Sequence, residues 1–306
     1  MGGPSRPEEV EPFLVRLFAD PALIQAPLGP LRLPVARLVA RLRAPAARRR
    51  YGLVGGSPLV AGTQAQASAL AAALAAEGVP VAAAFAYTEP GPADAVAALA
   101  ARGVRRLLAL PLYPQWSTAT SGASLRALRA AAEPWGMPVV EAPAYPTLPG
   151  LIAPLVEATR AALAAQPGAA VLLTAHGLPE RYVRQGDPYV AHVEAGAAAF
   201  RAALGGATDV QLGYQSRLGP LRWVGPEVAD VVQDLARGGA TALVVVPLTF
   251  VCEHLETRYD LDLVLRAAAW EAGIRSFVRV PAVGTAPAFV AGLADHVRAA
   301  LQEGRP

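Results

Sequence analysis

The feature that most constrains this chain is a repeated alternation of two apolar patterns. Short, largely apolar runs recur at 81–85, 106–111, 170–174, 210–214, 242–247 and 276–280. Runs that short and apolar fit strands covered on both faces. Between them lie longer Ala-, Leu- and Arg-rich segments with helical spacing, at 63–77, 92–102, 123–133, 151–166, 190–204, 228–237, 260–272 and 287–302. Asp94 and Ser121 stand where helix caps belong, and Gly78, Gly103, Gly205, Gly238 and Gly273 stand where helices should stop. Strand–helix alternation over 306 residues predicts an α/β architecture with parallel sheets. The pattern runs twice around a proline-rich interval near 142–149, which predicts two similar doubly wound domains, 1–145 and 146–306, with a cleft between them. Ligands of such folds bind beyond the carboxyl ends of the strands, so 113–122, 175–189, 215–223 and 250–256 matter most.

Composition closes several alternatives. With 54% hydrophobic and 17% charged residues the chain has ample core material and is not a disordered polymer. A net charge of +3, carried by arginine alone, is too weak to argue for nucleic acid. One cysteine, Cys252, excludes a disulfide framework and any metal or iron–sulfur site built on several thiolates. Pro4, Arg6, Glu8 and Glu9 interrupt any secretory apolar stretch, and no apolar run is long enough to span a bilayer. These features predict a soluble protein of a reducing compartment, the cytoplasm. No glycine fingerprint for nucleotides follows a strand. Gly55-Gly56-Ser57-Pro58 reads as a loop needing unusual backbone angles rather than as a phosphate cradle.

The chemistry concentrates at two strand ends. His176 closes the run at 170–174, and 250–257 carries Phe250, Glu253, His254 and Glu256 after the run at 242–247. Imidazole is basic near neutral pH and ligates Fe²⁺, and carboxylates take protons or hold a partly hydrated divalent ion. A lone strand histidine is usually structural; two of only four histidines beside carboxylates point to function. Tyr113, Trp116, Tyr182, Tyr189, Tyr214, Trp223 and Phe250 follow strands in Pro- and Gly-bearing loops, which suits a large flat apolar ligand. Arg41, Arg43 and the run at 48–50, read as lying in an early loop, could pair with carboxylates of that ligand or simply be solvated.

In this order along the chain, Met1-Gly2-Gly3-Pro4, Arg43-Ala44-Pro45, Tyr51, Gly55-Gly56-Ser57-Pro58, Leu110-Pro111-Leu112-Tyr113-Pro114-Gln115-Trp116-Ser117, Thr120-Ser121-Gly122, Ala175-His176-Gly177-Leu178-Pro179, Gly186-Asp187-Pro188-Tyr189, Tyr214-Gln215-Ser216-Arg217-Leu218-Gly219-Pro220, Trp223 and His254-Leu255-Glu256-Thr257 with Tyr259 and Asp262 resemble the ferrochelatases. The resemblance implies two Rossmann-like domains with parallel four-stranded sheets, a porphyrin cleft between them, and the last helix packing back on the first domain. It implies insertion of Fe²⁺ into a porphyrin, by distorting the ring and removing its pyrrole protons. His176 then matches the catalytic histidine, a neutral imidazole under the ring, and Glu256 matches the glutamate across the porphyrin plane. These two serve as catalytic and metal-contacting residues, with His254 and Asp260 on the same acidic path. Tyr51, Tyr113, Trp116, Trp223 and Phe250 wall the porphyrin, Arg43 receives a propionate with Ser57 beside it, and Met1 points to protoporphyrin IX. Iron is substrate rather than fixed cofactor, and no iron–sulfur cluster is expected. An apolar lip at 28–39 suggests peripheral membrane contact.

Departures from the family pattern are few. Relatives place a β-strand before Met-Gly-Gly-Pro, so the first strand of the first domain is expected to be missing from this chain. Ala86, Arg222 and Asp260 stand where Arg, Pro and Glu are commoner. Three other readings stay open: coproporphyrin III as substrate, a sirohydrochlorin cobalt or nickel chelatase, and a non-enzymatic porphyrin-binding protein.

Overall fold

The structure, a computed structural model, describes residues 1–24, 26–206, 208–217 and 221–303. The end of the Tyr-Gln-Ser-Arg motif, 218–220, therefore lies outside the described residues. The helices are α1 (Val10–Ala19), α2 (Arg32–Leu53), α3 (Leu59–Ala73), α4 (Pro92–Ala101), α5 (Ala123–Ala132), α6 (Pro149–Ala165), α7 (Glu180–Arg184), α8 (Tyr189–Leu204), α9 (Val228–Arg237), α10 (Arg266–Glu271) and α11 (Pro287–Glu303). The strands are β1 (Leu107–Ala109), β2 (Val139–Glu141), β3 (Ala170–His176), β4 (Val210–Gln215), β5 (Ala242–Pro247) and β6 (Ser276–Arg279). A π-helix, Glu256–Leu265, leads directly into α10. Among the described residues no helix is long and apolar enough to cross a membrane.

Two compact units emerge. The first comprises Met1–Pro111, Thr118–Pro143 and the residues from His296 onward; the second comprises Leu112–Ser117 and Ala144–Asp295. In the first unit β1 and β2 pair in parallel, Leu107 opposite Val139. The four-stranded sheet expected there is not formed among the described residues. The apolar run at 81–85 forms no ladder among the described residues; Phe85 N–H donates to Pro90 O and, just past the run, Tyr87 N–H donates to Met1 O. The arginine-rich stretch read as a loop is the 22-residue helix α2. Its buried residues include Ala36, Ala40 and Ala44, spaced to form one narrow face, and α1 packs on it with Val10, Phe13 and Leu14 buried. Gly55 and Gly56 follow with φ of 73° and 87°. A Cβ on Gly56 would stand 2.2 Å from the Ser5 carbonyl oxygen, so glycine is required both for the angle and for the approach.

The second unit holds a four-stranded parallel sheet in the order β4-β3-β5-β6. Its inner strands are mostly apolar because both faces are covered: Val171, Leu172 and Leu173 of β3 and Leu243 to Val246 of β5 are fully buried. One face receives α9, the π-helix and α10, through Val228, Val231, Val232, Leu261, Leu265 and Ala269 against Leu172, Leu243 and Val245. Fully burying a leucine is worth about 1.5–3 kcal/mol, so Leu261 and Leu265 anchor the π-helix firmly to the sheet. The topology also fixes where a ligand can enter. From β3 the chain crosses to β4 on one side, and from β5 it crosses to β6 on the other. The loops after β3 and β5 therefore diverge at adjacent strand ends, and that gap is the switch point at which open α/β sheets bind ligands.

Candidate active site

His176 is the last residue of β3, in register with Gln215 of β4. Glu256 opens the π-helix that follows β5. The switch point brings them together: His176 Nε2 lies 3.3 Å from Glu256 Oε1, and His254 Nε2 lies 3.2 Å from Glu256 Oε2. One carboxylate thus bridges two imidazoles. The His176, Glu256 and His254 side chains are 39%, 28% and 16% exposed, so the chain of groups opens to solvent at His176 and closes toward His254.

Hydrogen-bond direction determines the protonation of His176. Its Nδ1 lies 2.5 Å from the Gly177 carbonyl oxygen, an acceptor only, so Nδ1 carries a proton. Its Nε2 faces a carboxylate, and that contact is favourable only if Nε2 is protonated as well. Burial opposes the charged ring, but the charge and hydrogen bond of Glu256, with the Gly177 carbonyl and Asp260, outweigh it and push the pKa up to about 9. Burial likewise opposes the Glu256 anion, and His176 and His254 overcome it, holding this carboxyl well below the usual range. At neutral pH the pair is an imidazolium and a carboxylate. In this ligand-free arrangement the negative charge of Glu256 favours the protonated ring. At 3.3 Å the two groups are in direct contact.

Neighbouring groups hold His176 by its backbone. Its N–H donates to Thr249 Oγ1 at 3.3 Å, and its carbonyl accepts the Tyr189 hydroxyl at 2.9 Å. Burial raises the Tyr189 phenol above its ordinary value, so it stays a donor. Asp187 ties this corner to the segment bearing Tyr113 and Trp116: Oδ1 accepts Tyr189 N–H at 3.0 Å and Oδ2 accepts the Ser117 hydroxyl at 3.0 Å. Trp116 N–H donates to His192 Nδ1 at 3.1 Å. On the other side, Trp223 pairs with Pro179, and Val224 N–H reaches Leu178 O at 2.9 Å. A Cβ on Gly177 would come within 2.7 Å of Gln215 O and 3.1 Å of the Trp223 ring, so the close stacking there requires glycine. A cavity of about 190 Å³ opens beside Gly177, Gln215, Arg217 and Trp223, too small to house a whole macrocycle. Phe250 stacks on His254, ring centres 4.4 Å apart. Asp260 lies one π-turn beyond Glu256, near enough for its charge to act on His176.

The second unit therefore contains His176, Glu256, His254, Asp260, Tyr113, Trp116, Trp223 and Phe250. Met1, Arg43, Tyr51 and Ser57 belong to the first unit. There Tyr51 and Ser57 are buried and converge on Gly3, while Arg43, on α2 rather than in a loop, sits 5.8 Å over the Phe18 ring. Glu253, offered by the sequence as a proton or metal group, is engaged elsewhere: Oε1 accepts from Arg279 at 2.8 Å and from Ala282 N–H at 2.9 Å, and Oε2 accepts the Thr257 hydroxyl at 2.6 Å. Arg279 escaped the sequence reading because nothing links positions 253 and 279 before the chain folds. Among the described residues no group of three or more His, Cys, Asp or Glu side chains is arranged to enclose a metal ion.

The second unit thus presents a parallel α/β sheet with an imidazole–carboxylate pair at its switch point, the Rossmann-like fold of the class II chelatases. Solved structures with this fold include SirB from Bacillus subtilis with Fe³⁺, 16% identical, covering 79% of this chain and 92% of that one, with a TM-score of 0.56. CbiX, the terminal enzyme for biosynthesis of siroheme in denitrifying bacteria, is 24% identical, with 80% and 94% covered and a TM-score of 0.52. The sequence profile of the ferrochelatases matches residues 1–301. A ferrochelatase of Synechococcus sp. is 41% identical, covering 100% of this chain and 93% of its own. Another, from Caulobacter vibrioides, is 40% identical, with 97% and 87% covered. The chain belongs to the ferrochelatase family and is an enzyme of haem-type metal insertion into a porphyrin.

Proposed function

We propose that this enzyme inserts Fe²⁺ into protoporphyrin IX, with His176 and Glu256 as the catalytic pair and the metal's points of contact. The observation that carries this reading is the carboxylate shared by His176 and His254 at the switch point. The overall reaction balances without redox change: two pyrrole N–H protons leave as four nitrogens bind Fe²⁺. In the resting site His176 already holds its proton, and Glu256 is its ion-pair partner. A unit positive charge arriving about 4 Å away costs an imidazolium on the order of 4 kcal/mol near a protein surface, so Fe²⁺ approaching His176 expels that proton. His176 is then free to contact the metal or accept a pyrrole proton, and Glu256, His254 and Asp260 lead protons away.

Trp223, Tyr113, Trp116 and Phe250 supply aromatic faces for the macrocycle, and Tyr51 is assigned the same role. Arg43 and Ser57 take a propionate, and Met1 favours the vinyl-bearing ring. Iron is cargo; no resident cofactor or cluster is needed. The site of action is the cytoplasm, with the lip at 28–39 touching a membrane surface. The deciding assay is anaerobic Fe²⁺ insertion into protoporphyrin IX and coproporphyrin III side by side, with sirohydrochlorin as a third arm. Preferred turnover of protoporphyrin IX is expected. Preference for coproporphyrin III overturns the substrate, turnover of sirohydrochlorin alone overturns the chemistry, and tight porphyrin binding without metallation leaves a binding protein. Trp223→Ala is expected to raise the porphyrin KM about tenfold with kcat nearly unchanged, since an aromatic face contributes up to about 1.5 kcal/mol beyond its area.

A further inference from the structure

The π-helix and the residues just before it carry four carboxylates, and they divide into two pairs. Glu256 contacts His176, and Asp260 acts on it through its charge. Glu253 and Asp262 both meet Arg279, the last residue of β6. The Arg279 fork grips Asp262 with both arms, Nε to Oδ1 at 2.7 Å and Nη2 to Oδ2 at 2.8 Å, while Nη1 reaches Glu253 Oε1 at 2.8 Å. The Arg279 side chain is only 12% exposed. Glu253 then accepts from Thr257 Oγ1, and the same hydroxyl oxygen accepts the backbone N–H of His254 at 3.0 Å. Positions 253, 257 and 262 are thereby fixed; Glu256, which contacts His176, and Asp260 lie between them.

We propose that Arg279 is a positioning residue for metal insertion: it locks the backbone from Glu253 to Asp262 so that Glu256 and Asp260 are held against His176. A guanidinium is suited to this because a rigid planar fork binds one carboxylate bidentately and keeps a further donor for a second. A lysine preserves the charge but holds only one direction at a time. Arg279 touches no reacting atom and acts through the segment it anchors, so its loss should appear as misplaced chemistry rather than weakened substrate binding. The proposal rests on the reading of His176 and Glu256 as the catalytic pair.

The test compares Arg279→Gln, Arg279→Lys and a stability control, Ile274→Val, which trims the buried core just before β6. Fe²⁺ insertion into protoporphyrin IX is measured per folded molecule, and backbone hydrogen exchange is followed across 253–262. Both Arg279 variants should lose at least tenfold in kcat with the porphyrin KM within twofold, and exchange should accelerate across 253–262 but not in β3 or β5. Ile274→Val should lose stability and keep kcat. Arg279→Lys with full turnover, a loss matched by Ile274→Val, or protected amides across 253–262 in both variants would overturn the positioning role. Should Arg279→Gln fail to fold, Arg279→Lys and Asp262→Asn must show the same kcat loss and exchange pattern. Turnover that survives Glu256→Gln with Arg279 intact sinks the catalytic pair, whereas the exchange data judge Arg279 alone.

Discussion

Replacing His176 by alanine, or Glu256 by glutamine, is expected to lower Fe²⁺ insertion by about 10²–10⁴-fold, the range that a positioned proton-transfer group contributes. Porphyrin binding, followed by fluorescence quenching, should change little, because the aromatic faces rather than this pair supply the contact area. The two losses should not add: His176 and Glu256 share one hydrogen bond, so the double variant should be about as slow as the worse single one. Glu256→Gln is the cleaner of the two, since the amide fills the same space and removes only charge. A variant that metallates at close to the normal rate would remove that residue from the chemistry.

The second large effect is on titration. With Glu256 in place, His176 should titrate near pH 9, observable as one of four histidine ring signals. In Glu256→Gln the chief cause of the upward shift is gone while burial still opposes the charged ring, so the titration should fall to the ordinary 6.5 or below. The same linkage appears in stability. A pKa raised on folding contributes stability that is fully present below 6.5 and lost as pH climbs through about 9. The advantage of the unaltered enzyme over Glu256→Gln should therefore shrink across that window. A His176 signal that titrates at the same pH in both proteins would show that the contact carries no charge coupling.

Much of this molecule was legible before it folded, for reasons that differ by element. The strands of the second unit were readable because a strand buried on both faces has no polar alternation to confuse it, and 242–247 reads as apolar from end to end. Helix α9 was readable at both ends because its apolar and charged residues segregate cleanly, with Val228, Val231 and Val232 buried. Helix α2 is hard to read from sequence because arginines and exposed leucines surround it, and its buried residues are the alanines at 36, 40 and 44 with Tyr51 near its end. Small residues leave a faint hydrophobic signal even when they define a close contact. The run at 81–85 shows the converse: apolar content predicts a strand only if a neighbour supplies its ladder. Strand β2 is three residues long and leaves no periodicity to detect. For the site, strand-end placement singled out His176 and Glu256, but their charge state and the engagement of Glu253 depend on pairs made only in three dimensions.

The division of acids around Arg279 also bears on how such an enzyme can diverge. Two of four carboxylates are committed to anchoring, so substitution there disturbs the scaffold before it reaches the cargo. Positions 256 and 260 are not part of the Arg279 grip, so a change of side chain there can alter the chemistry at His176 while the anchoring bonds of Glu253 and Asp262 stay in place.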